Sequence, residues 1–257
     1  MSLWAAFLRT YSQSWRFLVT LPIIAVAVIG VEGLQHAVEW AIGMYRDIAS
    51  AKAVQNSPAR MLAGSLKVGW LLIVQFWVAR FIVSGGSAAA TLELEPVAIR
   101  KFSWFFVYYF VVTLVILFLP NVFALGVRRT MSIVVELLAL LLIPIGVTLS
   151  PWSVGAANGD PRASPMFALR RSAGSVLWGL ALTFLTMLPL MVFHYGLNCA
   201  AIGRSPGLAI LMLAADAVCI GFLGIVINAA PVPIAERMAR RTGDDIECRR
   251  TRSALAT

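Results

Sequence analysis

Apolar runs of roughly twenty residues, recurring along the chain between short polar connectors, limit its possible folds more than any other feature. At ~1.5 Å of rise per residue, one such run as a helix spans the ~30 Å hydrocarbon layer of a bilayer. The charge content excludes the soluble alternative. Only 13% of the residues are charged while 60% are hydrophobic, against about a quarter charged in ordinary soluble domains. A water-exposed surface built from this composition would aggregate.

Six spans are expected. They run from about Phe17 to Ala37, Met61 to Val83, Ser103 to Leu125, Met131 to Leu149, Val176 to Leu197 and Gly207 to Ala229. Four contain a proline (Pro22, Pro120, Pro144 and Pro189). Membrane helices accept this because neighbouring helices satisfy the freed carbonyls. The first run follows a basic segment with Arg9 and Arg16 and is too long for a cleaved leader, so it reads as a retained span. The expected fold is therefore all-α and polytopic, a single transmembrane domain over residues 1–230. A basic tail over 231–257 begins as a short amphipathic helix.

The net charge of +9 does not indicate nucleic acid, because no basic face is interleaved with aromatics. The cations cluster in the connectors instead. Counting Lys and Arg by side gives 14 on the face holding the termini and 7 on the other. By the positive-inside bias, both termini are expected in the cytoplasm. Cys199, Cys219 and Cys248 form neither a C-x-x-C pair nor a disulfide framework and read as packing residues.

Two connectors share a pattern. Pro96 precedes Ala98-Ile99-Arg100-Lys101, and Pro165 precedes Ala168-Leu169-Arg170-Arg171. Leu119-Pro120 and Leu188-Pro189 follow at similar distances, and Phe7-Leu8-Arg9 is a fainter third copy. Chance similarity among leucine-rich helices is the alternative. As a repeat, each unit would be a short basic helix on the cytoplasmic headgroups followed by a membrane hairpin. Arg100, Lys101, Arg170 and Arg171 would then contact anionic lipid phosphates. Arg80 would snorkel to the same surface.

The stretch ASPMFALRRSAGSVLWGLALTFL, with its proline, Ala-Leu-Arg-x-Ser core and following span, resembles a segment of bacterial six-span inner-membrane proteins. That group comprises the YciC-type proteins and the membrane domain attached to some glycerophosphodiester phosphodiesterases. The resemblance covers about 60 residues and implies a fold and a location, the bacterial inner (plasma) membrane. The phosphodiesterase activity belongs to a separate soluble domain whose residues are not found here, so it does not carry over.

Ionisable groups inside hydrocarbon are functional hypotheses by default. Asp216 falls near mid-membrane in the last span, and Glu136 and Lys67 lie at matching depths in spans four and two, where they could pair. Glu32, His36 and Glu39 stand at i, i+4 and i+7, one helix face. That carboxylate–imidazole set suits a metal ion or a proton relay, or simply the polar end of a span. His194 lies near the same level in span five. Asp216, Glu136, Lys67, Glu32, His36 and His194 thus compose a candidate polar cluster in the outer half of the membrane. No phosphate loop, nucleophile elbow or H-E-x-x-H motif is present. The primary reading is a non-catalytic envelope protein that contacts lipid or a membrane-protein partner, with no cofactor. The alternatives are a small transporter or permease built around Asp216, or an intramembrane lipid enzyme.

Overall fold

The computed structural model describes residues 1–124 and 142–243, and side chains outside 117–142 within them. Every regular element among the described residues is helical. The helices are α1 (Leu3–Thr20), α2 (Pro22–Ala41), α3 (Ile48–Val54), α4 (Pro58–Val83), α5 (Ala88–Leu92) and α6 (Pro96–Ala124). After residues 125–141 come α7 (Leu142–Thr148), α8 (Ser150–Ala157), α9 (Pro165–Ser172), α10 (Val176–Ala201), α11 (Pro206–Ala229) and α12 (Pro231–Arg241).

Five described helical runs are long and apolar enough to cross a membrane: Pro22–Ala41, Pro58–Val83, Pro96–Ile116, Val176–Ala201 and Pro206–Arg241. The chain is a multi-pass helical membrane protein. The span expected from Met131 to Leu149 lies largely outside the described residues, as does Glu136.

Proline sets half of the described starts. α2, α4, α6, α9, α11 and α12 all begin at one, where the missing N–H would have lacked an intrahelical partner in any case. Ser57 and Ser164 cap the first turns of α4 and α9, accepting from the amides of Arg60 and Phe167. The first span differs from expectation for the same reason. Pro22 ends the basic N-terminal helix at Thr20 instead of lying within one long helix, and the span restarts there and runs to Ala41. α4 ends on Gly85 and Gly86, whose φ values of 72° and 95° require glycine.

α1 and α12 lie at one end of the bundle, called here the terminal end. The Arg9 guanidinium donates to both oxygens of Glu236, and Arg16 donates to the Gly85 carbonyl. The Glu236 hydrogen bond raises the Arg9 pKa above its ordinary value, against the opposing effect of burial. The opposite, distal end is closed by the loop after α2 meeting the loop after α10, where the Gly203 amide donates to the Tyr45 carbonyl at 3.0 Å.

The core between α1, α2, α4, α6 and α8 is aromatic-rich. Phe17 packs edge-on to Phe81 at 5.4 Å, Phe76 to Phe102 at 5.2 Å, and Phe105 to Trp152 at 5.3 Å between ring centroids. α12 is part of this structure rather than a free tail, with Val232, Ile234, Ala235 and Met238 buried.

The basic connectors depart from the repeat picture. α9 is a short helix, separated from α10 by Gly174 at φ 73°, whereas α6 runs unbroken from Pro96. Ala98 and Ala168 are both buried, and Arg100 and Arg170 both exposed. Lys101 instead donates to the Pro161 carbonyl at 2.8 Å. Arg171 is buried, its guanidinium 4.0 Å from the Phe167 ring centre. Arg80 does not snorkel. It is only 5% exposed and donates to the carbonyls of Ala90, Thr91, Glu93 and Ala157, with Glu95 at 3.6 Å. One guanidinium thereby satisfies the carbonyls that α5 and α8 leave open at their C-termini.

Candidate functional site

A buried polar cluster occupies the distal half of the bundle, assembled from α2, α4, α10 and α11. α2 contributes Glu32, Gln35, His36 and Glu39, all buried on one face. Glu32, Glu39 and Asp216 are 1%, 2% and 0% exposed. Buried carboxylates require compensation by charge or hydrogen bonds, and each has it.

Asp216, on α11, is the centre. One of its oxygens lies 2.8 Å from His36 Nε2. His194 Nδ1 is 2.9 Å away, and the Asn198 amide donates at 2.6 Å. His194 and Asn198 are one turn apart on α10, so a single helical face presents both to the carboxylate. Glu39 is held by Arg60 Nε at 2.8 Å, Gln35 Nε2 at 3.0 Å and the Tyr45 hydroxyl at 2.7 Å. The oxygen that accepts from Tyr45 also lies 3.2 Å from His36 Nδ1. His36 therefore bridges two carboxylates, one on each ring nitrogen. The Tyr45 hydroxyl also meets Asn198 Oδ1 at 3.0 Å, which closes a loop around the distal side. Burial, followed by the Glu39 charge, pushes the Tyr45 phenol well above its ordinary pKa and keeps its proton in place. Glu32 faces Lys67 Nζ at 3.0 Å from α4 and His36 Nε2 at 3.7 Å.

The structure brings together Asp216, Glu32, His36, His194 and Lys67. Lys67 engages Glu32, a partner that matching depths alone did not suggest. Glu39, grouped with Glu32 and His36 by spacing, does meet His36 and is held in addition by Arg60 and Tyr45. The residues that spacing missed are Tyr45, Asn198, Arg60 and Gln35. Asn198 carried a local signal, since it lies four residues beyond His194. Tyr45 and Arg60 flank the distal loop, where no periodicity marks which side chains turn inward.

Ligand atoms of Glu32, His194 and Asp216 all lie within 4.8 Å of one another, a donor set of two carboxylates and one imidazole from three helices. Beside it, a groove of about 380 Å³ between α2 and α11 is lined by Gly33, His36, Ala37 and Trp40 on one side and by Ile210, Leu213, Ala214 and Ala217 on the other.

Nearer the terminal end is a second cavity of about 270 Å³, lined by Gln75, Tyr109, Thr113, Ser150, Ser153 and Asn228 among apolar residues. Between cluster and cavity the helices approach closely. Gly221 of α11 faces Ile29 of α2, and Gly224 faces Val28 and Leu71. A β-carbon at Gly221 would fall 3.1 Å from the Ile29 Cα. The Asn228 amide donates to the Leu71 carbonyl across the same seam at 2.8 Å.

No protein-family model, curated protein or solved structure matches this chain.

Proposed function

We propose that this chain is a small cation permease whose binding site is the cluster around Asp216. The supporting observation is the charge balance of the cluster. Three deeply buried carboxylates (Glu32, Glu39 and Asp216) face two obligate side-chain cations, Lys67 and Arg60. One negative charge remains for the imidazoles of His36 and His194, or for a bound cation, to cover. The arrangement along the molecule fits transport. A polar site in the distal half, a tight glycine seam and a polar-lined cavity toward the terminal end lie in series along the bundle, with the site near the midplane as in transporters.

The test is flux through the full chain in proteoliposomes, with proton, alkali-cation and divalent-cation indicators read in parallel. The wild type is expected to pass at least one cation class, and Asp216→Asn to lower that flux by about tenfold or more. Absence of flux for every class in the panel would overturn the reading.

Six crossings are proposed with it. Two terminal helices joined by Arg9 and Glu236 at one end of the bundle call for an even number, and five crossing helices are described. The charge bias supports cytoplasmic termini, and the resemblance of residues 163–185 to six-span bacterial proteins supports an inner-membrane location.

Exposed Arg100 and Arg170, each beside an exposed apolar residue (Ile99 and Leu169), favour the accompanying reading of an anionic-lipid contact face. Mass spectrometry of the chain released gently from anionic nanodiscs is expected to show retained acidic lipid, lost in Arg100→Gln/Arg170→Gln. Equal retention would remove that reading.

A further inference from the structure

We infer that the cluster is a divalent transition-metal site, with Glu32, His194 and Asp216 as ligands. This names the substrate class of the permease proposed above and rests on that reading. Two carboxylate oxygens and one imidazole nitrogen form a borderline-hard donor set suited to Zn²⁺, Mn²⁺ or Co²⁺ rather than to soft cations. The three ligand atoms come from α2, α10 and α11 and lie within 4.8 Å of one another. Around a four-coordinate ion bound at ~2.0–2.2 Å, donors stand ~3.5 Å apart. His194 Nδ1 and Asp216 already stand 2.9 Å apart, so an arriving ion would replace the hydrogen that they share, and side-chain shifts of about an ångström would bring Glu32 into the set.

The surrounding residues do what a metal site asks of its outer shell, which is to fix the direction in which the ligands point. Asn198 donates to Asp216 at 2.6 Å, and His36 approaches the same carboxylate at 2.8 Å. His36 is in turn fixed through its other nitrogen by Glu39, and Glu39 by Arg60 and Tyr45. With three protein ligands the fourth position stays open, as in sites that exchange their ligand rather than lock it in place. Lys67, which approaches both oxygens of Glu32, is the built-in competitor. Its ammonium lies 3.0 Å from one Glu32 oxygen, so an arriving ion and Lys67 contend for the same carboxylate.

The experiment is equilibrium dialysis of the full chain in detergent against Co²⁺ and Zn²⁺, with the visible spectrum of the Co²⁺ form. One ion per chain is expected, with the intense absorption of four-coordinate cobalt. His194→Ala and Asp216→Asn are expected to weaken binding about 100-fold. Lys67→Met should tighten it by freeing Glu32. Loss variants can fail by misfolding, so His194→Cys provides a gain of signal, a thiolate-to-cobalt charge-transfer band in the near ultraviolet. Absence of retained Co²⁺ and Zn²⁺ in the folded wild type would overturn the assignment, as would retained ion with no new band in His194→Cys. An ion retained without any flux sinks the permease reading and leaves the metal site standing. Proton or alkali flux without retained Co²⁺ or Zn²⁺ sinks the metal site alone.

Discussion

Arg80 shows how much a single side chain can hold in a molecule with few charges. Its guanidinium serves four backbone carbonyls and the Glu95 carboxylate. Removing it leaves four carbonyls without that donor at once, two of them, Thr91 and Ala157, at buried contacts. Each buried acceptor left unpaired costs ~1–3 kcal/mol. Arg80→Met is thus expected to lower the thermal midpoint in detergent micelles by several degrees or more, while Arg100→Met leaves it nearly unchanged. Equal midpoints would remove the carbonyl clamp from the account. Within the candidate site, the i, i+4, i+7 spacing of Glu32, His36 and Glu39 was legible because one helix face is a local property. Which of the three faces Asp216 and which faces Arg60 was not, since that depends on how α2 is rotated against α4 and α11. Arg80 was misplaced for a related reason: a long basic chain near a span end looks the same in sequence whether it reaches headgroups or a neighbouring helix terminus.

Among the elements, the seam between α2 and α11 depends most on what is missing. Gly221 has no β-carbon, and one placed there would press on the Ile29 backbone and side chain. Gly221→Ala is expected to force α2 and α11 apart and destabilise the fold by about 1–3 kcal/mol, read as a lower midpoint against an unaffected Gly207→Ala, where a β-carbon meets open space. An unchanged Gly221→Ala protein would show that the seam yields freely. The spans themselves were largely legible, because apolar length is written directly in the sequence. The expected start of the fifth at Val176 is the observed one, and that of the sixth at Gly207 is one residue late. The first was misjudged where Pro22, read as an interior residue, opens a new helix. Composition records that a proline is present, but not whether the preceding turn continues in line with it.

On the scale of the whole molecule, the Arg9–Glu236 pair fixes both terminal helices to one end. Reporters fused before Met1 and after Thr257 are expected to read the same compartment, the cytoplasm, and opposite readings would refute the even count of crossings. The depth of the central carboxylate has a further consequence. Asp216 lies ten residues into α11, about 15 Å along its axis at ~1.5 Å per residue. On the permease reading proposed above, a cation travelling from the distal surface to that carboxylate passes through a sizeable part of the transmembrane voltage drop. A full unit charge crossing the whole drop gains or loses ~2.3 kcal/mol per 100 mV. Occupancy of the site should accordingly follow the cell's energisation as well as the ion's concentration, filling or emptying as the membrane polarises.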